Sequence, residues 1–302
     1  MLASTIVGPV GEFQRKLEFT LATFNCYWFF DDVAPFSKWG VRLPPGGISE
    51  KIDRLAQAII SIGPSGADVV ALQEVESQEL LEKLVVRLTE LGSPIRYAFS
   101  SDTLDPATGQ NVALLSRFQT ATRPVSRLDQ TVRPYLDHRG FERIGSLGKF
   151  LRVDLEIVDQ SISIFVLHLK SQREGTEETR LLRNAQTEIV RLLSRPVVEQ
   201  GNSRSPSFVA ILGDMNDVPQ SRPIDTLLGK FDMSYKLTSA TEKLPVEEQW
   251  TYTFQGTRQQ LDHILLSRFV YDRMKSSGFT RIDRETSDHD AVWARIDLSM
   301  TT

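Results

Sequence analysis

Ser287-Asp288-His289 stands one residue before a strand-like run that reads Ala291-Val292-Trp293-Ala294-Arg295-Ile296. This tripeptide is the last of several short polar motifs, each of which lies at the end of an apolar segment. The earlier motifs are Phe24-Asn25, Gln73-Glu74, His168-Leu169-Lys170, Gly213-Asp214-Met215-Asn216-Asp217 and Leu261-Asp262-His263. Carboxylates, amides and imidazoles at successive strand ends are the groups with which hydrolases hold a divalent metal over a phosphate. The recurrence of such motifs therefore predicts an enzyme.

Composition limits the class of protein. The chain has 302 residues, of which 40% are hydrophobic and 25% charged, as is usual for a soluble globular protein with a substantial core. No apolar run reaches the roughly 20 residues needed to cross a bilayer, and the N-terminal sequence does not resemble a signal peptide. Cys26 is the only cysteine, which excludes an internal disulfide and a cysteine-based zinc site. We expect a cytoplasmic protein, although a lone cysteine is also compatible with export, and a monomer by default.

Charge is distributed unevenly along the chain. The formal net charge is −4, whereas proteins that grip long duplex DNA by charge alone are usually basic. Residues 117–152 nevertheless form a basic segment, which would suit an anionic substrate if the charges are free. Alternatively, its arginines pair with carboxylates elsewhere, and the sequence leaves both possibilities open. The basic residues are Arg117, Arg123, Arg127, Arg133, Arg139, Arg143, Lys149 and Arg152.

The apolar pattern predicts helices between the early strands and hairpins between the later ones. This order fits an α/β (α+β) architecture in which two packed sheets carry helices on their outer faces. We expect an N-terminal arm over residues 1–16, a single domain over 17–299, and a loop at 31–47. Helices are predicted at 48–60, 77–91 and 177–194. Strands are predicted at 17–24, 68–72, 96–100, 112–116, 150–158, 161–169, 207–212, 250–254, 261–267 and 291–298.

Taken together, the motifs resemble those of the endonuclease/exonuclease/phosphatase superfamily, the metal-dependent phosphoesterases that include DNase I and the exonuclease III-type repair enzymes. The resemblance covers residues 17–298. Each motif is weak alone, but their order and their placement at predicted strand ends make the combination specific. The resemblance implies a four-layer αββα sandwich with two packed mixed or antiparallel sheets flanked by helices, as in DNase I.

The resemblance also implies a Mg²⁺ (or Mn²⁺) cofactor, and both ions prefer oxygen ligands. Glu74 would bind the metal directly, Asn25 would orient ligand waters or Glu74, and Asp288 would bind the metal or a metal-bound water. Other roles are open to these residue types. Glu74 is also suited to a helix N-terminus facing solvent, and Asn25 to an Asx-turn.

The candidate catalytic residues come from four of the motifs: Asp214, Asn216, Asp262 and His289 come from three of them, and His168 comes from the fourth. By resemblance, Asp214 would orient or deprotonate the attacking water, and Asn216 would donate a hydrogen bond to the phosphate or the nucleophile. His289 would act as a general base or a phosphate-binding imidazolium, and Asp262 would accept a hydrogen bond from it. His263 alternates with Asp262 along the strand, so we expect it to face the opposite side and to be structural.

His168 occupies a position that carries histidine in the DNase I-like branch, where it would bind the scissile phosphate or protonate the leaving oxygen. Because exonuclease III-type repair enzymes tend to carry a tyrosine and an asparagine in this segment, His168 makes abasic-site repair a poorer match. Alternatively, His168 is a buried, hydrogen-bonded strand histidine with a structural role. Lys170, Arg173 and Arg117 are candidate substrate-binding residues. The aromatic run at 27–30 can stack on a base or a sugar, or belong to the core.

The sequence therefore predicts a divalent-metal-dependent phosphoester hydrolase. Our first hypothesis is a nuclease that cleaves DNA or RNA by in-line attack of water, with nucleic acid as its substrate. The alternative is a phosphatase or phosphodiesterase acting on an inositol phosphate, a phospholipid head group or a nucleotide. A catalytically silent binding module is the third hypothesis, and the loss of a metal or histidine position would indicate it. The sequence retains all of these positions.

Overall fold

The computed structural model describes residues 17–31, 47–102, 108–126, 131–157, 160–174, 176–200, 208–232 and 234–299. The predicted N-terminal arm lies outside this part of the chain, as does most of the predicted loop at 31–47. The strands and α-helices are, in chain order, β1 (Glu18–Phe29), α1 (Gly47–Ser61), β2 (Val69–Val75), α2 (Gln78–Glu90), β3 (Tyr97–Ser100), β4 (Asn111–Ser116), β5 (Val132–Leu136), β6 (Glu142–Ser146), β7 (Phe150–Ile157), β8 (Gln160–His168), α3 (Thr176–Gln200), β9 (Val209–Asp214), α4 (Arg222–Leu228), β10 (Leu237–Ser239), β11 (Tyr252–Phe254), β12 (Thr257–Gln259), β13 (Asp262–Ser267), α5 (Arg268–Tyr271), β14 (Met274–Thr280) and β15 (Ala291–Asp297).

One sheet has six strands in the order β14-β15-β1-β2-β4-β3. β1 and β2 are parallel, and the other neighbours are antiparallel. Asn25 on β1 lies opposite Gln73 on β2, so Asn25 and Glu74 emerge at the same edge of the sheet. Side chains alternate between the two faces of a strand, and the outward set, which includes Phe24 and Leu72, packs against α1 and α2.

The second sheet has five strands in the order β10-β13-β9-β8-β7, with β8 and β9 parallel. His168 on β8 and Asp262 on β13 are both Cα partners of Asp214 on β9. These three residues therefore form one row across the sheet. The outer face, which includes Phe165 and Ile211, packs against α3 and α4.

The inner faces of the two sheets meet in a common apolar core. Leu21 and Ala71 of the six-stranded sheet face Leu151, Ile164 and Leu212 of the five-stranded sheet. Two helices, two sheets and two helices thus form successive layers, and the predicted four-layer αββα sandwich is confirmed. None of the helices in the described residues is both long enough and apolar enough to span a membrane.

The structure adds elements that the sequence analysis did not predict. β5 and β6 form a hairpin within the basic segment, and its exposed Leu136 and Ile144 obscure any alternation between an apolar and a polar face. β14 also lacks such alternation because it is an edge strand, paired with β15 on one side. In addition, α3 continues to Gln200, beyond the predicted end at residue 194.

Candidate active site

Asp214 is at the centre of a cluster of polar side chains contributed by both sheets. Its Oδ2 atom lies 3.2 Å from Asn25 Nδ2, 3.7 Å from His168 Nε2 and 4.0 Å from His289 Nε2. Its Oδ1 atom accepts a hydrogen bond of 2.9 Å from the backbone N–H of Asn216. The structure therefore brings together the predicted residues of β1, β8, β9 and the segment before β15.

Gly213 allows β9 to approach β8 closely at this point. Its φ of 139° is unfavourable for residues with a side chain, and an added Cβ would lie 1.9 Å from the carbonyl oxygen of Leu167. Glycine is therefore required on steric grounds directly before Asp214.

Asp262 and His289 form a buried pair, with 2.7 Å between Asp262 Oδ2 and His289 Nδ1. Burial acts to lower the pKa of His289, but the carboxylates of Asp262 and Asp214 and the hydrogen bond to Asp262 raise it to about 10. His289 is therefore an imidazolium at neutral pH, and both ring nitrogens are donors. The ring of Tyr252 covers that of His289, with centroids 4.8 Å apart.

The other two titratable groups respond differently to the same surroundings. Burial and the charge of Asp262 raise the pKa of Asp214 to about 7, against the attraction of His289. Burial, together with the charges of Lys149 and His289, holds the pKa of His168 well below its ordinary value. At neutral pH the site thus contains a charged histidine, a neutral histidine and a carboxyl group close to its titration point.

Glu74 and Asn25 form the second part of the site. Asn25 Nδ2 donates to Glu74 Oε1 over 3.2 Å, and the backbone N–H of Trp28 donates to Glu74 Oε2 over 3.0 Å. The Asn25 side-chain oxygen accepts from the Tyr27 N–H over 2.9 Å. Asn25 thus directs its amide hydrogens towards Glu74 and Asp214. It is therefore suited to orienting Glu74, as one of its predicted roles has it, and not to binding a metal through its side-chain oxygen.

The backbone around this part of the site adopts uncommon conformations. Tyr27, Trp28, Glu74 and Asn216 have positive φ values of 51°, 54°, 63° and 50°. Non-glycine residues rarely adopt such values, and they concentrate at functional sites where the surrounding structure enforces them. Glu74 is half-buried, and the local fold fixes its direction.

The segment before β15 is anchored to β1. Ser287 Oγ donates to the carbonyl oxygen of Asn25 over 2.6 Å and accepts from the N–H of His289 over 3.0 Å. Asp288, between these anchored residues, is half-buried. The charges of Asp288 and Glu74 both act on Lys51 and on Arg173, which indicates that the two carboxylates share one region.

Two groups of residues can be considered for a cation. Asp214, Asp262 and His289 offer ligand atoms within 4.8 Å of one another. However, a histidine ligand must be deprotonated, whereas His289 is held in its charged form by hydrogen bonding to Asp262. Glu74 and Asp288 offer carboxylate oxygens, the ligand type that Mg²⁺ and Mn²⁺ prefer, and the Asn25 amide orients Glu74. The first group is therefore suited to proton transfer, and the second to a divalent cation.

Two cationic side chains lie beside the cluster. The Arg173 side chain is exposed, and a hydrogen bond with Tyr252 and the charges of Asp288 and Glu74 outweigh the effect of burial and raise its pKa. Lys149, which was not singled out as a site residue, donates to Gln110 Oε1 over 2.6 Å and acts electrostatically on His168. Its position directly before β7, the antiparallel neighbour of β8, was the available signal. Lys170 directly follows the site segment, and its role stays a prediction.

Asp217 and His263 take part in hydrogen bonds that hold the segment after Asn216 in place. Asp217 accepts a hydrogen bond of 2.9 Å from the buried Arg183, whose guanidinium also donates to the carbonyl of Lys170. His263 Nε2 lies 2.9 Å from the carbonyl oxygen of Asp217. His263 therefore faces away from Asp262, as expected for alternate positions in a strand.

Four arginines of the basic segment are paired with carboxylates. The pairs are Arg117–Asp68, Arg133–Glu188, Arg143–Asp137 and Arg152–Asp154. Arg127 lies outside the described residues. The second interpretation of this segment, internal pairing, is thus the better one for these four arginines.

The structure does not bring Arg117, a predicted substrate-binding residue, together with the other predicted site residues. Arg117 follows β4, which is antiparallel to β2, and its guanidinium binds Asp68 at the start of β2. Glu74 is six residues further along that chain segment. A rise of about 3.3 Å per residue therefore separates Arg117 from the site by roughly 20 Å.

We accordingly expect Arg117→Ala to leave kcat/KM within about twofold of wild type, while lowering the free energy of unfolding by about 1 kcal/mol through loss of a partly exposed ion pair. Steady-state kinetics and urea unfolding would test both. A rise in KM without a change in stability would return Arg117 to the substrate-binding residues.

A DNase I-like αββα sandwich with acid–base and carboxylate groups at one edge is the class that the fold and the site define. The sequence profile of the Endonuclease/Exonuclease/phosphatase family matches residues 22–289, and the chain belongs to this family. Family membership supports a hydrolase that acts on phosphoester bonds. A comparison with curated protein sequences gives no match.

Solved structures resemble the whole fold. An endonuclease/exonuclease/phosphatase family protein from Bacteroides thetaiotaomicron has a TM-score of 0.61 at 16% identity, covering 95% of this chain and 100% of that one. An AP endonuclease from Archaeoglobus fulgidus gives 0.59 at 15%, covering 93% and 100%. Truncated TDP2 from Caenorhabditis elegans gives 0.56 at 17%, covering 93% and 98%. At these identities the likeness concerns the fold alone.

Proposed function

We propose that the protein is a divalent-metal-dependent phosphodiesterase that hydrolyses nucleic acid by in-line attack of water. The observation that carries this proposal is the setting of Asp214, whose Oδ2 faces Asn25, His168 and His289 within 4.0 Å. A carboxyl group with a pKa of about 7 has the proton affinity that general base catalysis needs at neutral pH.

Asp214 would orient the water and accept its proton. Asn216 fixes Asp214 through its backbone N–H, and its side-chain nitrogen donates to the carbonyl oxygen of Leu169 over 3.0 Å. One amide hydrogen of Asn216 remains for the phosphate or the nucleophile. Asn216 therefore serves both the base and the substrate.

The two histidines would have separate roles. His289, charged and held by Asp262, would stabilise negative charge that develops on the phosphoryl oxygens. His168 is neutral, because burial and neighbouring cations keep its pKa low. This favours a hydrogen bond from His168 to the scissile phosphate over protonation of the leaving oxygen.

Glu74 and Asp288 would hold Mg²⁺ or Mn²⁺, with Asn25 orienting Glu74. When bound, the ion supplies charge neutralisation at a phosphoryl oxygen. The half-buried position of both carboxylates leaves room for water or phosphate oxygens as further ligands.

The surroundings of the cluster support a nucleic acid as substrate. Tyr27, two residues after Asn25, and Phe254, two residues after Tyr252, have exposed side chains. Exposed aromatic rings beside a phosphate site can stack on bases, and nearby cations such as Arg173 and Lys149 can follow the backbone. One of the solved structures with a similar fold is an AP endonuclease, which also favours this class.

A small phosphoester is the second candidate, and one observation favours it. Four arginines of the basic segment are paired internally, and the net charge is −4. A short substrate would need only the cations at the site itself, whereas the affinity for a long polyanion increases with a broad positive surface.

The decisive experiment compares plasmid DNA, a single-stranded oligonucleotide, RNA and bis(p-nitrophenyl) phosphate, each with Mg²⁺, with Mn²⁺ and with EDTA. We expect cleavage of at least one nucleic acid, and its loss in EDTA. An Asp214→Asn protein purified in the same way serves as the control for a contaminating nuclease. Cleavage confined to the small ester would refute the nucleic-acid proposal, and undiminished rates in EDTA would refute metal dependence.

A further inference from the structure

Lys51 is a buried lysine beside the site. It has no role in the chemistry proposed above. It belongs to α1, and only 3% of its surface is exposed. Lysine is seldom buried to this extent without partners. Its ammonium group donates to the carbonyl oxygen of Tyr27 over 3.1 Å and to that of Thr286 over 2.6 Å, and it lies 5.8 Å from the centroid of the Tyr27 ring.

One of these carbonyls lies in the turn that holds Glu74 in place, and the other lies in the segment that carries Asp288. Tyr27 precedes Trp28, whose N–H binds Glu74, and Thr286 lies two residues before Asp288. The segments are more than 250 residues apart in the chain, and Lys51 joins them through a third element. Tyr27 and Trp28 both have positive φ, so the turn that Lys51 holds is one that needs external support.

The charges around Lys51 identify its counter-ions. Burial acts first to lower its pKa, while interactions with Cys26, Glu74 and Asp288 act in the opposite direction. Burial raises the pKa of Cys26 to about 12, so this thiol is neutral at working pH. The negative groups that face Lys51 are therefore the two carboxylates of the proposed metal site.

We propose that Lys51 is the positioning residue of the metal site, holding the Tyr27 turn and the Thr286 segment together so that Glu74 and Asp288 face one cation. The inference rests on the metal site proposed above. Residues that orient metal ligands typically contribute 10- to 100-fold to metal affinity. Lys51 differs from most of them because it is itself a cation.

This difference gives the test a clear sign. If Lys51 acted only through its charge, its removal would strengthen the binding of Mn²⁺, because a repelling charge is lost. If it positions the ligands, Lys51→Met should weaken Mn²⁺ binding by about tenfold or more. Calorimetric titration of the metal-stripped protein with Mn²⁺, without substrate, measures the dissociation constant directly.

Arg54→Met is the matched control. Arg54 lies one turn further along α1 and pairs with Glu50, Asp283 and Glu285, so it also touches the segment before β15 but from the surface. We expect this variant to bind Mn²⁺ within about twofold of wild type, since surface ion pairs contribute little. A loss equal to that of Lys51→Met would assign the effect to the helix contact in general, and would overturn the proposal.

Two further measurements guard against a folding defect. Lys51→Gln keeps a donor without the charge, and the thermal midpoint of each variant with and without Mn²⁺ shows whether folded protein still binds the ion.

In the wild-type protein, the NMR signal of the Lys51 ε-methylene should shift when Mg²⁺ is added, because the counter-ions of Lys51 become metal ligands. Unchanged or tighter Mn²⁺ binding by a folded Lys51→Met protein, or no shift in wild type that binds Mg²⁺, would refute the role of Lys51. Failure of wild type itself to bind either ion would instead refute the metal site.

Discussion

Asp214→Asn is expected to lower kcat by about 10³-fold, within the 10²- to 10⁴-fold range that general acid–base catalysis contributes. The amide has the shape of the carboxylate but cannot accept a proton from water. It can still accept the hydrogen bond from the Asn216 N–H, so the loop should keep its conformation. The substitution also removes the charge that helps to keep His289 protonated, which adds to the loss.

Single-turnover rates at saturating metal, with circular dichroism of the same samples, would measure this effect. Asp68→Asn is the control of the same chemical type, because Asp68 lies at the opposite edge of the six-stranded sheet and binds Arg117. We expect it to retain nearly full activity. If Asp214→Asn kept a tenth or more of the wild-type rate, another group would have to be the base.

His289→Ala should cost about 10²- to 10³-fold in kcat, the usual effect of removing one preorganised donor. Asp262→Asn should give a smaller loss, because it leaves the imidazole in place without its charged partner. The structure further predicts that the double variant is no worse than His289→Ala alone. Asp262 contacts the reaction centre through His289, and residues that act as one unit show non-additive losses.

The same pair has a signature in solution that does not depend on turnover. In the metal-free protein His289 should remain protonated well above pH 7, because its pKa is about 10. In Asp262→Asn the protonated form loses its main support, so the imidazole should titrate at lower pH. Histidine NMR signals followed over pH would report both curves. Additive losses in the kinetic cycle, together with identical titrations, would contradict the proposed pairing.

The layers and most of the candidate site residues were predictable because the apolar strands follow local patterns and the motifs at their ends resemble those of the family. Runs of apolar residues predict the strands, and polar residues at the ends of these runs indicate the edge of the sandwich where the site lies. Asn25, Glu74, His168 and Asp214 lie at or near the C-terminal ends of parallel strands, whereas Asp262 begins an antiparallel one. All of these ends meet at the same edge.

What the sequence could not supply was strand direction and side-chain environment. Arg117 also follows a strand, but β4 is antiparallel to β2, so its end lies at the other edge. The orientation of the Asn25 amide depends on the Tyr27 N–H, which no spacing rule reveals. Lys51 falls in an amphipathic helix where a charged residue normally indicates solvent. Its burial follows from the packing of two distant segments around it.

The two hairpins, β5–β6 and β11–β12, each form a separate two-stranded sheet outside the main sandwich. The reacting groups are carried mainly by the large sheets, whereas these hairpins carry exposed side chains such as Leu136, Ile144 and Phe254. Apart from Tyr252, whose ring covers His289, their sequences can therefore diverge without moving the proton-transfer groups. This separation offers a route by which one chemical apparatus acquires new substrates in evolution or in the laboratory.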